Sequence, residues 1–273
     1  EICDDWTAQG NPQVKVEVID WDNYWTLLES GASGGTLPDI FWMHSDYALI
    51  YMENDMLLNL TQRIKDDGVD MGQYYSDIAA IYTRSDGNIY ALPKDHDTIA
   101  LLYNKALFDQ AGVAYPDNTW TYEDMYNASK AITEATPDDT YGYALNTSND
   151  QDGWYNYIYS YGGNVVTKDK TDTGMDSAET KAAMDMVRRM LTTAVPQSGV
   201  AESGTDSLFM SGKVGMITQG SWMINTFYTA ENAADYAWAE IPYCDRNGDG
   251  QITADDKYMD KRLKDSPDFT FGF

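Results

Sequence analysis

The chain has 273 residues, of which 18 are lysine or arginine and 44 are aspartate or glutamate, so its formal net charge is −26. A chain of this length buries about 75% of its unfolded surface, which allows a substantial core. The 43% hydrophobic content argues against an acidic disordered tail. The negative charge disfavours nucleic acid and anionic lipid as partners. The sequence has no apolar run of about 18 residues, so it contains no predicted membrane span.

Strand-like and helix-like periodicities alternate along the chain. Strands are predicted over residues 14–20, 37–43, 88–93, 98–103, 141–145, 214–218 and 236–241. Helices are predicted over residues 1–8, 21–30, 47–53, 73–82, 105–112, 122–135, 154–161, 177–191 and 205–211, and another begins at 222. Thr121 is a good N-cap for the helix over 122–135, with Asp124 three residues further on. This alternation predicts an α/β fold with mainly parallel sheets.

The two cysteines, Cys3 and Cys244, are too few for a disulfide scaffold and are not spaced like zinc ligands. One bridge between them and two unrelated thiols are equally compatible with the sequence. The chain begins at Glu1 without a signal peptide, so we expect mature or trimmed material.

Aromatic rings and polar side chains follow several of the predicted strands. Ligands of α/β sheets bind at the carboxyl ends of strands. Rings stack on the C–H faces of sugars, while carboxylates and amides hydrogen-bond hydroxyls, so these clusters predict a carbohydrate site. The strand-end residues are Trp42, His44 and Asp46; Asp95, His96 and Asp97; Asn146, Asn149, Asp152, Trp154 and Tyr155; and Gln219, Ser221 and Trp222.

Each cluster also allows a structural or catalytic interpretation. Trp42 follows an apolar strand and is equally compatible with the core, and Asp97 with a strand-end cap. His44 and His96 could bind a metal with a neighbouring aspartate, although their spacing is a weak signal. Asp95 and Asp97 could form the acid–base pair of a glycosidase. The sequence has no G-x-S-x-G, Walker A or H-E-x-x-H motif.

Six segments together resemble the extracellular solute-binding proteins of ABC importers, in the group that includes maltose-binding protein. They are residues 37–42 (LPDIFW), 87–93 (GNIYALP), 101–108 (LLYNKALF), 120–124 (WTYED), 209–216 (FMSGKVGM) and 220–222 (GSW). Each segment is weak evidence alone, but their order and spacing along most of the chain are specific.

The resemblance implies a two-lobe, type II periplasmic-binding-protein-like fold that closes on its ligand around a hinge. The first lobe would comprise residues 1–104 and 236–273, incomplete at both ends, and the second lobe residues 105–235. Trp42, His44 and Asp46 would line the first lobe, Asp97 would be a hinge-side carboxylate, and Trp154 or Tyr155 would stack with Trp222 in the second. Asp152 is a further expected contact.

The function implied is that of a non-catalytic monomer that delivers a neutral oligosaccharide to the membrane permease of an ABC importer. The location implied is periplasmic, extracellular or, in a lipid-anchored full-length form, at the cell surface.

Residues 245–256 (DRNGDGQITADD) resemble a calcium-binding loop. Oxygen-bearing residues fall at the ligand positions of such a loop, glycine at position 6 and isoleucine at position 8. The predicted ligands are Asp245, Asn247, Asp249, Gln251, Thr253 and Asp256. Calcium here would be structural, and an acidic Asn-Gly hairpin is the alternative. The loop keeps two rival functions open: a calcium-containing glycoside hydrolase, and a module that docks a partner through calcium.

Overall fold

The computed structural model describes residues 1–148, 150–167, 171–250, 252, 253 and 256. The chain divides into two compact units, Glu1–His96 and Asp97–Phe273. The helices of the first unit are α1 (Ile2–Ala8), α2 (Trp21–Gly34), α3 (Ser45–Glu53), α4 (Thr61–Asp66) and α5 (Ser76–Ile81). In the second unit follow β1 (Ile99–Asn104), α6 (Lys105–Ala111), α7 (Tyr122–Ala135), α8 (Tyr155–Ser160), α9 (Ala178–Met190), α10 (Gln197–Ser203), α11 (Thr205–Met210), β2 (Met216–Gly220), α12 (Ile224–Tyr228) and β3 (Tyr236–Ala239).

The first unit, described over its whole length, contains helices but no β-strand. The strands predicted over 14–20, 37–43 and 88–93 are therefore wrong, apart from an isolated bridge between Thr83 and Ile89. Val18 is 94% exposed, because the alternating apolar residues of this segment pair with no other described strand. Alternation predicts an extended backbone, but a strand also needs a neighbour to complete its hydrogen bonds.

The core of the first unit forms around α2 and α3. Trp25 and Leu28 of α2 pack with Tyr51 of α3, and Phe41 and Met43 cover this cluster. The ring of Trp25 stacks on that of Tyr47 at a centroid distance of 3.8 Å. Phe41 and Met43 thus place their side chains inward although no strand forms.

The second unit is built on a three-stranded sheet in the order β2-β1-β3. Leu101 and Tyr103 of β1 enter a core with α6, α7, α8 and α9. Leu102 points to the opposite face, where Phe209 of α11 and Phe227 of α12 pack. Helices thus cover both faces of the sheet, as the α/β prediction requires.

Both strand pairs of this sheet are antiparallel, so the prediction of mainly parallel sheets is not confirmed. Among the described residues, parallel contacts occur as isolated bridges, such as Tyr141 with Val214 and Ala144 with Ile217. Long helical connections return a strand in either direction, so the alternation of strand and helix does not fix strand direction.

The predicted lobe boundaries at 104/105 and 235/236 differ from the boundary between the compact units, which lies at His96/Asp97. The structure groups β1 and β3 with the second unit because they pair with each other and β1 pairs with β2. The assignment of residues to lobes stays a prediction. Among the described helices, none has the length and apolar character needed to cross a membrane.

Candidate functional site

The start of β1 and the end of β2 lie next to each other at one end of the second unit's sheet. Antiparallel pairing sets Ile99 opposite Gly220, so Asp97 and Ser221 lie side by side. The Ser221 hydroxyl donates to Asp97 Oδ1 at 2.6 Å and accepts from the Thr98 N–H at 3.2 Å. The Ser221 N–H donates to the Thr98 carbonyl at 2.9 Å. These bonds hold a carboxylate beside the segment that carries Trp222.

The indole of Trp222 lies against Gly220. A Cβ atom at Gly220 would stand 2.0–2.2 Å from three of the ring carbons, so a side chain there and the ring cannot share this space. Gly220 has φ −88° and ψ 158°, which any residue can adopt. Glycine is therefore required for space and not for backbone conformation. Trp222 remains 42% exposed, which leaves part of its surface for a ligand.

The turn over Asp150–Trp154 lies against the same strand, β2. The Thr218 hydroxyl donates to the Asp152 carbonyl at 2.5 Å and lies 3.2 Å from the Tyr143 hydroxyl. Gly153 allows the turn to pass close to Asn146, because a Cβ atom at Gly153 would stand 2.5 Å from the Asn146 carbonyl oxygen. The structure thus brings Asp152 next to β2, two residues before Gly220.

Trp154 ends this turn and Tyr155 follows it. Both are half-buried, and Trp154 packs against the main core of the second unit. The two rings meet edge to face at 4.6 Å between centroids. Asp152 is only 7% exposed. The assignment of these three residues as ligand contacts stays a prediction.

Burial controls the ionisation of two phenols of the second unit. It raises the pKa of Tyr143 to about 12 against the partial compensation of its hydrogen bond with Thr218. Burial likewise raises the pKa of Tyr161 to about 12. Both phenols are neutral at physiological pH and act as hydrogen-bonding groups, not as charges.

In the first unit, Trp42 points away from the core. Phe41 and Met43 pack inward, so the ring between them is directed outward and is 68% exposed. Its carbonyl accepts a hydrogen bond of 2.7 Å from the Tyr24 hydroxyl. The alternative that Trp42 belongs to the core is therefore wrong. The Lys94 ammonium lies 4.2 Å from the centre of the Trp42 ring, a cation–π contact.

His44 has a structural role at the start of α3. As N-cap, its Nδ1 lies 3.3 Å from the Asp46 backbone nitrogen and 3.3 Å from Asp46 Oδ2. Trp21, which the sequence did not single out, meets the His44 ring edge-on at 5.2 Å. His96 instead meets the ring of Tyr75 at 5.1 Å. Within the described residues, no three His, Cys, Asp or Glu side chains are grouped to hold a metal ion.

The first half of the loop over 245–256 is organised by Asp245. Its Oδ1 accepts the N–H of Gly248 and its Oδ2 that of Gly250, both at 2.8 Å. Asn247 Oδ1 accepts the Asp249 N–H at 3.0 Å, and its amide donates to Asp249 Oδ2 at 3.0 Å. The glycines supply the positive φ values of 71° and 78° that the turns need.

Asp256 closes the loop and is 2% exposed. Its Oδ1 accepts from the Arg246 N–H at 3.0 Å, and its Oδ2 from the N–H and hydroxyl of Thr253, both at 2.9 Å. The predicted ligand Gln251 lies outside the described residues. Asp245, Asn247 and Asp249 present oxygen donors of the type that calcium prefers.

The two cysteines are both free thiols. Burial raises the pKa of Cys244, so its thiol is less easily ionised than an exposed one. The sequence left open a bridge between Cys3 and Cys244 or two unrelated thiols, and the structure has two unpaired thiols.

Two residues that contact the predicted ligand-binding side chains, Ser221 and Lys94, were not predicted as ligand contacts from the sequence. Ser221 holds Asp97 beside Trp222, and Lys94 lies over Trp42. Ser221 is the middle residue of the GSW segment, so a signal was present. Nothing in the sequence indicated that Lys94 would approach Trp42, because this contact joins residues 52 positions apart.

Comparison with known proteins gives a consistent result. The model of the bacterial extracellular solute-binding protein family matches residues 1–243. A solved ABC substrate-binding protein of Listeria monocytogenes, in complex with cycloalternan, is 27% identical with a TM-score of 0.76, over 85% of this chain and 59% of that one. The galactooligosaccharide-binding protein of Bacillus subtilis is 24% identical, over 84% of this chain and 53% of its own length.

A third relative has a different ligand. UgpB of Mycobacterium tuberculosis, solved in complex with glycerophosphocholine, has a TM-score of 0.75 at 16% identity, over 88% of this chain and 60% of that one. This likeness shows the fold alone.

The chain spans about half the length of the curated relatives that it matches. Its fold is the type II periplasmic-binding-protein-like α/β fold of these structures. The chain belongs to the bacterial extracellular solute-binding protein family.

Proposed function

We propose that this protein binds a neutral oligosaccharide and delivers it to the permease of an ABC importer. The observation that carries the proposal is the half-exposed indole of Trp222, seated on Gly220 beside the Asp97–Ser221 hydrogen bond. An indole face next to a carboxylate and a hydroxyl suits a sugar ring, whose C–H face is apolar and whose edge carries hydroxyls.

Charge supports a neutral ligand over a phosphate ester. The chain carries a formal charge of −26, and Asp97 lies at the proposed contact surface. A phosphate would need compensating arginine or lysine side chains there. Glycerophosphocholine, the ligand of the M. tuberculosis structure, is therefore a suitable negative control. The cycloalternan and galactooligosaccharide named for the other two relatives are the first ligands to test.

Within the first unit, the exposed indole of Trp42 is a further proposed stacking surface for a sugar. His44 caps α3, so its contribution would be to position Asp46. Closure of two lobes around the ligand stays a prediction. The ligand would stabilise the closed state because it binds that state more tightly than the open one. A monomer exported to the periplasm or the cell surface is the form that such a carrier would take.

A thermal-shift screen over neutral oligosaccharides, followed by calorimetry, tests the proposal. We expect at least one oligosaccharide to raise the melting temperature, glycerophosphocholine to leave it unchanged, and Trp222→Ala to weaken binding. The sugar recovered after incubation should be intact on chromatography, whereas product release would favour the glycoside hydrolase alternative. Binding of glycerophosphocholine in preference to every sugar would refute a neutral-saccharide site.

We also propose that the loop over 245–256 binds calcium as a structural ion. The support for this proposal is that each carboxylate oxygen of Asp245 accepts one N–H and keeps a lone pair for a cation. The melting temperature should be higher with added calcium than with a chelator. The Asp249→Ala variant should lose this increase and keep the sugar affinity of the wild type. An equal melting temperature with calcium and with chelator would exclude the ion. Loss of partner docking on chelation would instead favour the interaction-module alternative.

A further inference from the structure

The side chain of Gln219 connects two parts of the second unit. Gln219 lies in β2 and is 2% exposed. Its Nε2 donates to Asp206 Oδ1 at 2.6 Å, and its Oε1 accepts the Gly220 N–H at 2.7 Å. Both ends of the amide are therefore engaged, and the side chain links α11 to the backbone of Gly220.

Asp206 lies on a rigid support. It is in the first turn of α11, and Phe209 of the same helix is buried with Leu102 and Ile217 of the sheet. Asp206 is half-buried, and desolvation raises the pKa of its carboxyl while the hydrogen bond from Gln219 opposes this rise. A desolvated carboxylate is costly, and the Gln219 amide compensates part of that cost.

The connection continues from Gly220 to Trp222. The indole lies so close to Gly220 that a Cβ atom there would overlap the ring, so the position of the Gly220 backbone limits where the ring can lie. Ser221, between them, is fixed from the other side by Asp97. The segment that carries the indole is thus held by one carboxylate on each side.

We propose that Asp206 is a positioning residue, which through Gln219 fixes the backbone of Gly220 and so sets the orientation of the Trp222 indole. Its effect on ligand affinity rests on the proposed function, whereas its effect on the indole does not. Asp206 reaches Trp222 through two intermediates and needs no contact with the ligand. The proposal therefore makes separate predictions for the ligand-free and ligand-bound protein.

Fluorine NMR of protein labelled with 5-fluorotryptophan tests the ligand-free prediction. Eight tryptophans give eight signals, and Trp222→Phe identifies that of Trp222. Asp206→Ala should shift this signal, because it removes the acceptor of the Gln219 amide. Asp206→Asn keeps a side-chain oxygen at the same place and should restore the native shift. Asp138→Ala, which removes an exposed carboxylate of the same unit, is the matched control.

A second variant keeps the test decisive. If Asp206→Ala does not fold, Gln219→Met breaks both hydrogen bonds at similar volume and should produce the same selective shift. A Trp222 signal that remains at its native position in a folded Asp206→Ala or Gln219→Met protein would overturn the proposal. A shift of all eight signals would also overturn it, because the role would then be general packing.

Affinity measurements complete the test once an oligosaccharide has been identified. Asp206→Ala should weaken binding in the wild-type background because the indole is no longer held in its binding orientation, and the loss should not exceed the roughly 5- to 150-fold expected for removing the ring. In a Trp222→Ala background it should have no further effect, since the relay then has nothing to position. Equal losses in both backgrounds would refute the relay. If no oligosaccharide binds at all, the proposed function fails, but the NMR result still decides the role of Asp206.

Discussion

Alanine at Gly220 is the sharpest perturbation of the proposed site. The added Cβ atom would stand 2.0–2.2 Å from the Cζ3, Cη2 and Cε3 atoms of Trp222, well inside van der Waals contact. These atoms are the far edge of a side chain that is 42% exposed. The indole is therefore free to swing into solvent, and the backbone does not need to move.

The expected magnitudes separate stability from binding. The backbone angles of Gly220, φ −88° and ψ 158°, suit alanine. Alanine lowers the conformational entropy of the unfolded chain, which stabilises the folded protein by about 0.4–1 kcal/mol. This gain offsets the loss of the contact between the indole and Gly220. The free energy of unfolding should therefore change little. A displaced indole can no longer stack on the ligand, and loss of such an aromatic contact costs roughly 1–3 kcal/mol of binding energy. Affinity should fall about 5- to 150-fold, mostly through faster dissociation.

Calorimetry with the best oligosaccharide from the screen, together with urea denaturation, measures both quantities. Trp222→Ala gives the limit of complete ring removal, and Gly220→Ala should approach it. Gly34→Ala is the matched control, because a Cβ atom there meets only Thr36 Oγ1 at an ordinary 3.6 Å. If Gly220→Ala binds sugar as tightly as wild type while Trp222→Ala does not, the close packing of the indole on Gly220 has no role in binding.

Three further outcomes follow from the structure. Asp97→Ala, which removes the acceptor of the Ser221 hydroxyl, should weaken sugar binding about tenfold in calorimetry without lowering the melting temperature, and unchanged affinity would remove Asp97 from the site. Gly142→Ala should destabilise by about 3 kcal/mol or more in urea denaturation, because its Cβ atom would stand 2.0 Å from the backbone oxygen of Ser129; a wild-type midpoint would contradict this packing. The buried phenols should make the protein sensitive to alkali. Burial raises the pKa values of Tyr143 and Tyr161 in the folded protein to about 12, from an ordinary 10.0. Their contribution to stability is therefore complete below pH 10 and is lost as the pH rises through 12. Their phenolate absorbance should appear together with loss of circular dichroism, and ionisation without unfolding would argue against the burial.

Local signals determined the helices. The helix predicted over 122–135 has the observed bounds of α7, and Thr121 and Asp124 form the reciprocal capping pair that the sequence predicts. These features depend on residues three or four positions apart, so the sequence states them directly. The helices α4 and α10 were missed because both are short, with six and seven residues, and have little periodicity to detect.

Strands required information that the sequence does not hold locally. The segment over 98–103 closely matches β1, which is buried and paired on both sides. The equally alternating segment over 14–20 forms no strand, because no described segment pairs with it. A strand exists only with a partner, and the partner is chosen by the whole fold.

The order and spacing of short motifs were enough to identify the family, whereas the assignment of Trp222 and Asp97 as ligand contacts stays a prediction. Tertiary structure alone decided that Trp42 faces outward, that His44 caps a helix, and that Gln219 joins Asp206 to the backbone beneath the Trp222 ring. The physical reason is that residue types and helix caps are properties of nearby positions. Contacts such as Ser221 with Asp97, 124 residues apart, exist only after the sheet has brought its distant strands together.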